Sequence, residues 1–185
     1  MITLKKHILF ALLLGLGVWV QAQNERKVIR QGIRSYEEGQ FSDAEVQFRK
    51  AGDLNRESFE AAFNTGAALY GQEKYEETAK QYQQLAEETA SPETMAGVWH
   101  NMGNSLLEGQ KYAESIEAYK NSLRLNPRDM DTKYNLAYAR KKLQEQQQQD
   151  QENQDQQNQQ DQNQEDQDQQ NQQDQDQENH VQTAE

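Results

Sequence analysis

Three stretches of this chain repeat one pattern: "SYEEGQFSDAEVQFRKAGDLN", "LYGQEKYEETAKQYQQLAEET" and "LLEGQKYAESIEAYKNSLRLN". Gly32 and Gly66 stand 34 residues apart, as do Phe41 and Tyr75, and Phe48 and Tyr82; the third copy follows 37 later at Gly103, Tyr112 and Tyr119. A fixed period of this length marks stacked helix–turn–helix units, and it outranks local propensity as evidence for the fold. Such a unit cannot bury its own apolar face, so about three of them and a terminal cap make the smallest stable stack. An all-α solenoid of three helix pairs with a C-terminal capping helix is the predicted architecture.

Within each copy the recurring residues have mechanical roles. Gly32, Gly66 and Gly103 leave room for the second helix of a pair to approach the first, and Ala44, Thr78 and Ser115 are the small residues opposite. Phe41, Tyr75 or Tyr112 opens the second helix, and Phe48, Tyr82 or Tyr119 falls two turns later on the same face. Aromatics at helical spacing are read as packing, not as a cofactor box. The longer gap before the third copy contains "TASPET", where Ser91 can cap and Pro92 can begin a lengthened helix.

The three copies resemble tetratricopeptide (TPR) repeats. The third carries Trp99, Met102-Gly103, Leu106, Tyr112, Tyr119 and Pro127 at the motif's spacings; in the first, Val28 stands where Trp belongs, and in the second Thr78 replaces the usual Ala. The resemblance implies a right-handed solenoid over residues 23–143, with repeats at about 25–58, 59–92 and 96–129 and a capping helix over 130–143. In that last helix Leu136, Ala139 and Leu143 recur on the side expected to cover repeat three, and Tyr134 and Tyr138 point elsewhere.

Both termini differ from the repeats. "MITLKKHILFALLLGLGVWVQAQ" places Lys5 and Lys6 before the 13-residue apolar run Ile8–Val20 and small residues around Ala22. That is the form of a cleaved export signal, and the run falls short of the ~20 residues of a spanning helix, which disfavours the competing reading of a retained anchor. Residues 1–22 are therefore expected to be removed and the rest to be periplasmic, with no membrane span afterwards. From Gln144 to Glu185 there are 12 acidic residues and no Lys or Arg, while the preceding residues hold 19 acids against 19 bases, so the net charge of −12 lies wholly in the tail. Without an apolar residue between Leu143 and Val181, this Gln/Asp/Asn-rich segment is expected to be a disordered coil of roughly 35–40 Å.

This distribution argues against nucleic-acid binding, since the globular part has no basic excess and the tail repels phosphate. There is no Cys, the three His residues (His7, His100, His180) form no ligand spacing, and no nucleophile or phosphate-loop motif occurs. Pairs such as Glu37-Glu38 and Glu76-Glu77 point different ways on a helix. Neither an enzyme nor a cofactor or metal is expected.

Function is expected on the concave face, lined by the first helix of each pair. In register, that face would show Ile29, Ile33 and Tyr36; Phe63, Ala67 and Tyr70; His100, Asn104 and Leu107; then Tyr134 and Tyr138. Such an aromatic groove suits an extended or helical peptide. Ile29 and Ile33 equally fit plain packing. The carboxylate clamp of some TPR proteins is not supported, because Ile29, Ile33 and Gly97 replace its Lys and Asn residues. Export signal, three repeats, "KYNLAYARKKLQ" and the tail together resemble the BatC-type proteins of the bacterial aerotolerance (Bat) operon. That resemblance implies a periplasmic adaptor working with membrane-anchored von Willebrand A-domain proteins in oxygen tolerance. Such proteins carry a mixed-charge helical segment after the tail, whereas this chain ends in "HVQTAE". A second reading makes the tail the active part, its carboxylates attracting divalent cations or ligating an A-domain metal.

Overall fold

The structure is a computed structural model that describes residues 23–87 and 91–182, with side chains as far as residue 160. The expected export signal, residues 1–22, lies outside the described residues. Seven helices and no strand occur among the described residues: α1 (23–37), α2 (Phe41–Leu54), α3 (Phe59–Gly71), α4 (Tyr75–Ala86), α5 (Pro92–Glu108), α6 (Tyr112–Leu125) and α7 (Met130–Gln182). From α2 to α6 each helix packs on the next, and α3 also touches α5, which brings the first helices of successive pairs side by side.

Each pair closes by one repeated device. The aromatic of the second helix lies flat over the glycine of the first: a β-carbon on Gly32 would meet the Phe48 ring at 2.6 Å, on Gly66 the Tyr82 ring at 2.7 Å, and on Gly103 the Tyr119 ring at 2.5 Å. Such distances lie far inside van der Waals contact, so only glycine allows the approach. Phe48, Tyr82 and Tyr119 are consequently buried. Ser115 adds a hydrogen bond across its pair, its hydroxyl donating to the Gly103 carbonyl at 2.9 Å, whereas Thr78 turns back to Lys74 of its own helix. Phe41 also lies against a glycine, Gly71 of the following repeat, where a β-carbon would meet it at 2.5 Å.

The turns inside the pairs are also alike. In each, one amide reaches back three residues and the next reaches back five: Gly39 to Tyr36 and Gln40 to Ser35, Glu73 to Tyr70 and Lys74 to Leu69, Gln110 to Leu107 and Lys111 to Leu106. This pairing of bonds ends a helix through one left-handed residue. Gly39 takes that position without strain at φ 75°, while Glu73 and Gln110 hold it at φ 60° and 59°. Between pairs, Ser58 caps α3 by accepting from the Ala61 amide, and Ser91 caps α5 by accepting from Thr94 ahead of Pro92. The expected lengthening is present: α5 has 17 residues against 13 in α3.

The start of α7 is capped by Asp129, which accepts from the amides of Asp131 and Thr132 and from the Thr132 hydroxyl at 2.6 Å. Pro127 occupies the corner just before it, in a turn closed by the Asp129 amide on the Asn126 carbonyl. Thr132 and Ala139 are buried and Leu136 is half-buried, so this side of α7 belongs to the packed part of the chain.

The chain divides into two units, the solenoid up to Arg140 and a second unit from Lys141 onward, which contains Leu143. The span of α7 runs through the second unit to Gln182, with no apolar residue between Leu143 and Val181. Gln is a good helix former, and neither Gly nor Pro interrupts the segment. Lys141 and Lys142 both pair with Glu145, at 3.6 and 3.0 Å, but every described side chain from 146 to 160 is exposed. The helix has no apolar face, and the segment has no core, as its composition requires. Among the described residues no helix is long and apolar enough to cross a membrane.

Candidate functional site

The first helices of the pairs line two adjoining hollows. One, of about 220 Å³, is bounded by Tyr36, Ala67, Tyr70, Tyr82, Asn101 and Asn104. The other, of about 260 Å³, is bounded by Tyr70, Asn104, Leu107, Glu108, Tyr134, Asn135 and Tyr138. Tyr70 and Asn104 belong to both, so the hollows form one trough running from α1 across α3 and α5 to the start of α7. Its tyrosines are set by the repeat: Tyr36 meets Phe41 edge-on at 5.1 Å, and Tyr70 meets Tyr75 edge-on at 5.5 Å. At the far end Tyr134 is 72% exposed and Tyr138 43%, which makes them the most open aromatics of the trough.

The floor of the trough is polar, and the core aromatics supply part of it. The Tyr82 hydroxyl donates to the Phe63 carbonyl at 3.2 Å and accepts from the Asn101 amide at 3.4 Å. The Tyr119 hydroxyl donates to Asn104 Oδ1 at 2.7 Å, and Asn135 Nδ2 donates to the same oxygen at 3.0 Å. These bonds occupy the Asn104 acceptor, and among the described residues its amide NH2 has no partner. Burial pushes the phenols of Tyr82 and Tyr119 far above their ordinary range, so both remain neutral donors. Burial, and then the neighbouring Glu108 carboxylate, also push the Tyr70 phenol up. Among the described residues Glu108 is the one acidic side chain bounding either hollow, and no Lys or Arg does.

Of the residues expected on the concave face, Tyr36, Ala67, Tyr70, Asn104, Leu107, Tyr134 and Tyr138 line the trough. Four others are placed differently, and of these Ile33, at 36% exposed, borders neither hollow. Ile29 is buried in the core with Val28, Ala44 and Phe48. Phe63 is half-buried, stacked on Phe59 at 5.9 Å and edge-on to Tyr82 at 5.4 Å, so it packs between repeats. His100 hydrogen-bonds through Nδ1 to Thr132 Oγ1 at 2.6 Å and lies 6.0 Å from the Tyr119 ring, which ties α5 to α7. The Thr132 proton goes to Asp129, so His100 Nδ1 carries the donated hydrogen. Phe63 and His100 share a cause, since in the register they occupy the next repeat covers the side chain, whereas Ile29 clusters with Ala44 and Phe48 of its own pair.

The trough residues missed in the sequence are Asn101, Asn135, Glu108 and the hydroxyl of Tyr82. A signal for the asparagines existed, since Asn64, Asn101 and Asn135 recur at the repeat spacing of 37 and 34. Among the described residues, no three His, Asp or Glu side chains gather closely enough to hold a metal ion.

Comparison with known proteins agrees with this architecture. The family model described as "Tetratricopeptide repeat" matches residues 29–93, and that described as "TPR repeat" matches residues 103–144. No curated protein matches the sequence. Among solved structures, the first TPR domain of the human RPAP3 protein is 16% identical, with 64% of this chain and 91% of that one covered and a TM-score of 0.59. The first TPR of Spaghetti (RPAP3) bound to the HSP90 peptide SRMEEVD is 16% identical over 65% of this chain and 94% of that one, at 0.60. The TPR2AB domain of yeast Sti1, in a complex with pHSP90, is 24% identical over 67% of this chain and 49% of that one, also at 0.60. At these identities the likeness speaks to the fold. With three such helix pairs in the structure and two models of one repeat type matching in succession, the chain belongs to the tetratricopeptide-repeat family.

Proposed function

We propose that this protein is a non-enzymatic adaptor that holds an extended segment of a partner protein in the trough between Tyr36 and Tyr138. The observation that carries this reading is the pairing of open tyrosines with a row of amides. Tyrosine gives contact area at low entropic cost, and side-chain amides can bond a peptide main chain whatever its sequence. That one of the similar structures is bound to an HSP90 peptide and another is a complex with pHSP90 supports the reading by analogy of fold. Among the described residues no Lys or Arg lines the trough as a clamp for a terminal carboxylate would need, so an internal segment is the better fit.

The finer proposal places the adaptor in the periplasm, acting with membrane-anchored von Willebrand A-domain proteins in oxygen tolerance. Its support is the export-signal pattern at residues 1–22 and the resemblance of the chain's layout to BatC-type proteins. Cell fractionation tests the location, with the cytoplasmic fraction as the contrary result. A pull-down with the A-domain proteins as candidates tests the partner. Changing Tyr134 and Tyr138 together to Ala is expected to abolish capture, and removing residues 144–185 is expected to leave it intact. The reverse pattern would favour the acidic tail as the binding element.

A further inference from the structure

The two hollows of the trough differ in charge. The first is bounded by neutral side chains alone, whereas the second takes Glu108 from the end of α5 and the phenols of Tyr70, Tyr134 and Tyr138. Glu108 is exposed and forms no ion pair among the described residues, while Glu45, Glu76, Glu117 and Glu145 all do. Its charge is felt within the trough: after burial, it does most to raise the Tyr70 phenol, and it acts after Glu73 on that of Tyr75. The nearest bases are directed elsewhere. Lys111, three residues on, acts after Lys80 to hold the Glu76 carboxyl low, Lys74 pairs with Glu45 at 3.4 Å, and Lys141 and Lys142 pair with Glu145. On α7, Lys133 and Arg140 fall about 100° or more around the helix from Tyr134, Asn135 and Tyr138, which bound the hollow.

We infer that the second hollow receives an Arg or Lys side chain of the partner segment, its cation set between the Glu108 carboxylate and the tyrosine rings. This specificity rests on the trough acting as a peptide groove, and it adds what the peptide must carry. A metal ion is the poorer occupant, because one carboxylate among phenols and amides is a thin ligand set, and among the described residues no three His, Asp or Glu gather. An organic cation is the better one: tyrosine faces attract it, a carboxylate pairs with it, and about 260 Å³ has room for its head. Tyr70 and Asn104 bound both hollows, so a main chain held by the amides of the trough can send a side chain into the second. The same carboxylate disfavours an acidic residue at that place.

The test is a double-mutant cycle by calorimetric titration of the full chain with peptides selected on it from a random display library. The selected peptides are expected to share one Arg or Lys. Changing that residue to Gln should weaken binding about fivefold to tenfold, and so should Glu108→Gln in the protein. The two changes together should cost no more than either alone. Glu93→Gln, equal in charge at the other end of α5, should leave affinity unchanged. Glu108→Lys should restore binding of the peptide whose base is changed to Glu, which shows that the variant is folded and competent. Peptides without a shared base, losses that simply add, or an equal loss in Glu93→Gln overturn the specificity; if those peptides still weaken on Asn104→Ala, the groove itself stands. Peptides indifferent to both Asn104→Ala and Tyr138→Ala, or a selection that yields none, overturn the groove and this specificity with it.

Discussion

The ring of Tyr119 lies so close over Gly103 that a β-carbon on the glycine would meet it at 2.5 Å. The same relation joins Tyr82 to Gly66 and Phe48 to Gly32; Tyr82 itself borders the trough, and the Tyr119 hydroxyl bonds Asn104, which does. Packing of the pair and polarity of the binding face are thus set by one side chain.

Changing Gly103 to Ala is expected to cost roughly 1–3 kcal/mol, because a buried aromatic must shift to admit the methyl group. Gly52 supplies the contrast, since a β-carbon there would meet nothing within 4 Å. Gly52→Ala is expected to be neutral or to stabilise by about 0.5–1 kcal/mol through helix propensity. Urea unfolding of both variants measures the difference.

Stability should fall on the alkaline side. Burial raises the phenols of Tyr82 and Tyr119 above their value of 10.0 in the unfolded chain. The folded state then holds protons that the unfolded state has released, so this contribution is complete below about pH 10 and is lost as pH rises beyond it. Melting temperature against pH should show this loss, and a variant with both tyrosines changed to Phe should flatten it.

On the acidic side the direction reverses at Asp129. The hydrogen bond from Thr132 holds its carboxyl below the ordinary value of 3.8, so its contribution is present near neutral pH and disappears as pH falls through the acid range. Asp129→Ala is expected to cost about 1 kcal/mol, as loss of a helix cap does. Because Asp129 also orders Thr132, and through it His100, the α5–α7 contact should loosen, read as faster amide exchange at the start of α7.

The second unit should add little to the stability of the solenoid. A helix without tertiary packing depends on propensity alone, and such helices are marginal in water. Removing residues 144–185 is expected to change the unfolding free energy of the solenoid by under about 0.5 kcal/mol. A peptide of those residues should show low helicity by circular dichroism at 25 °C.

The solenoid is legible in the sequence because glycine and aromatic recur at a period that only stacked helix pairs explain. Tyr36, Tyr70, Tyr134 and Tyr138 are legible on the trough for the same reason. Phe63 and His100 are not, since register places a residue on a helix face but does not say whether the next repeat covers it. Asn101 and Asn135 recur with Asn64 at the repeat spacing, but their role lies in bonds to Tyr82 and Asn104, which exist only after the repeats stack. In the tail, glutamine's helix propensity competes with charge repulsion and with the turn preference of Asp and Asn.

The central claim is that tyrosines and amides of the trough hold an extended peptide. Calorimetric titration of the full chain with peptides selected on it by display tests this most directly, with Asn104→Ala and Tyr138→Ala as the variants. The account predicts a loss of tenfold or more in affinity for each variant, about 1.4 kcal/mol or more, with the fold intact by circular dichroism. Unchanged affinity in both variants would contradict it.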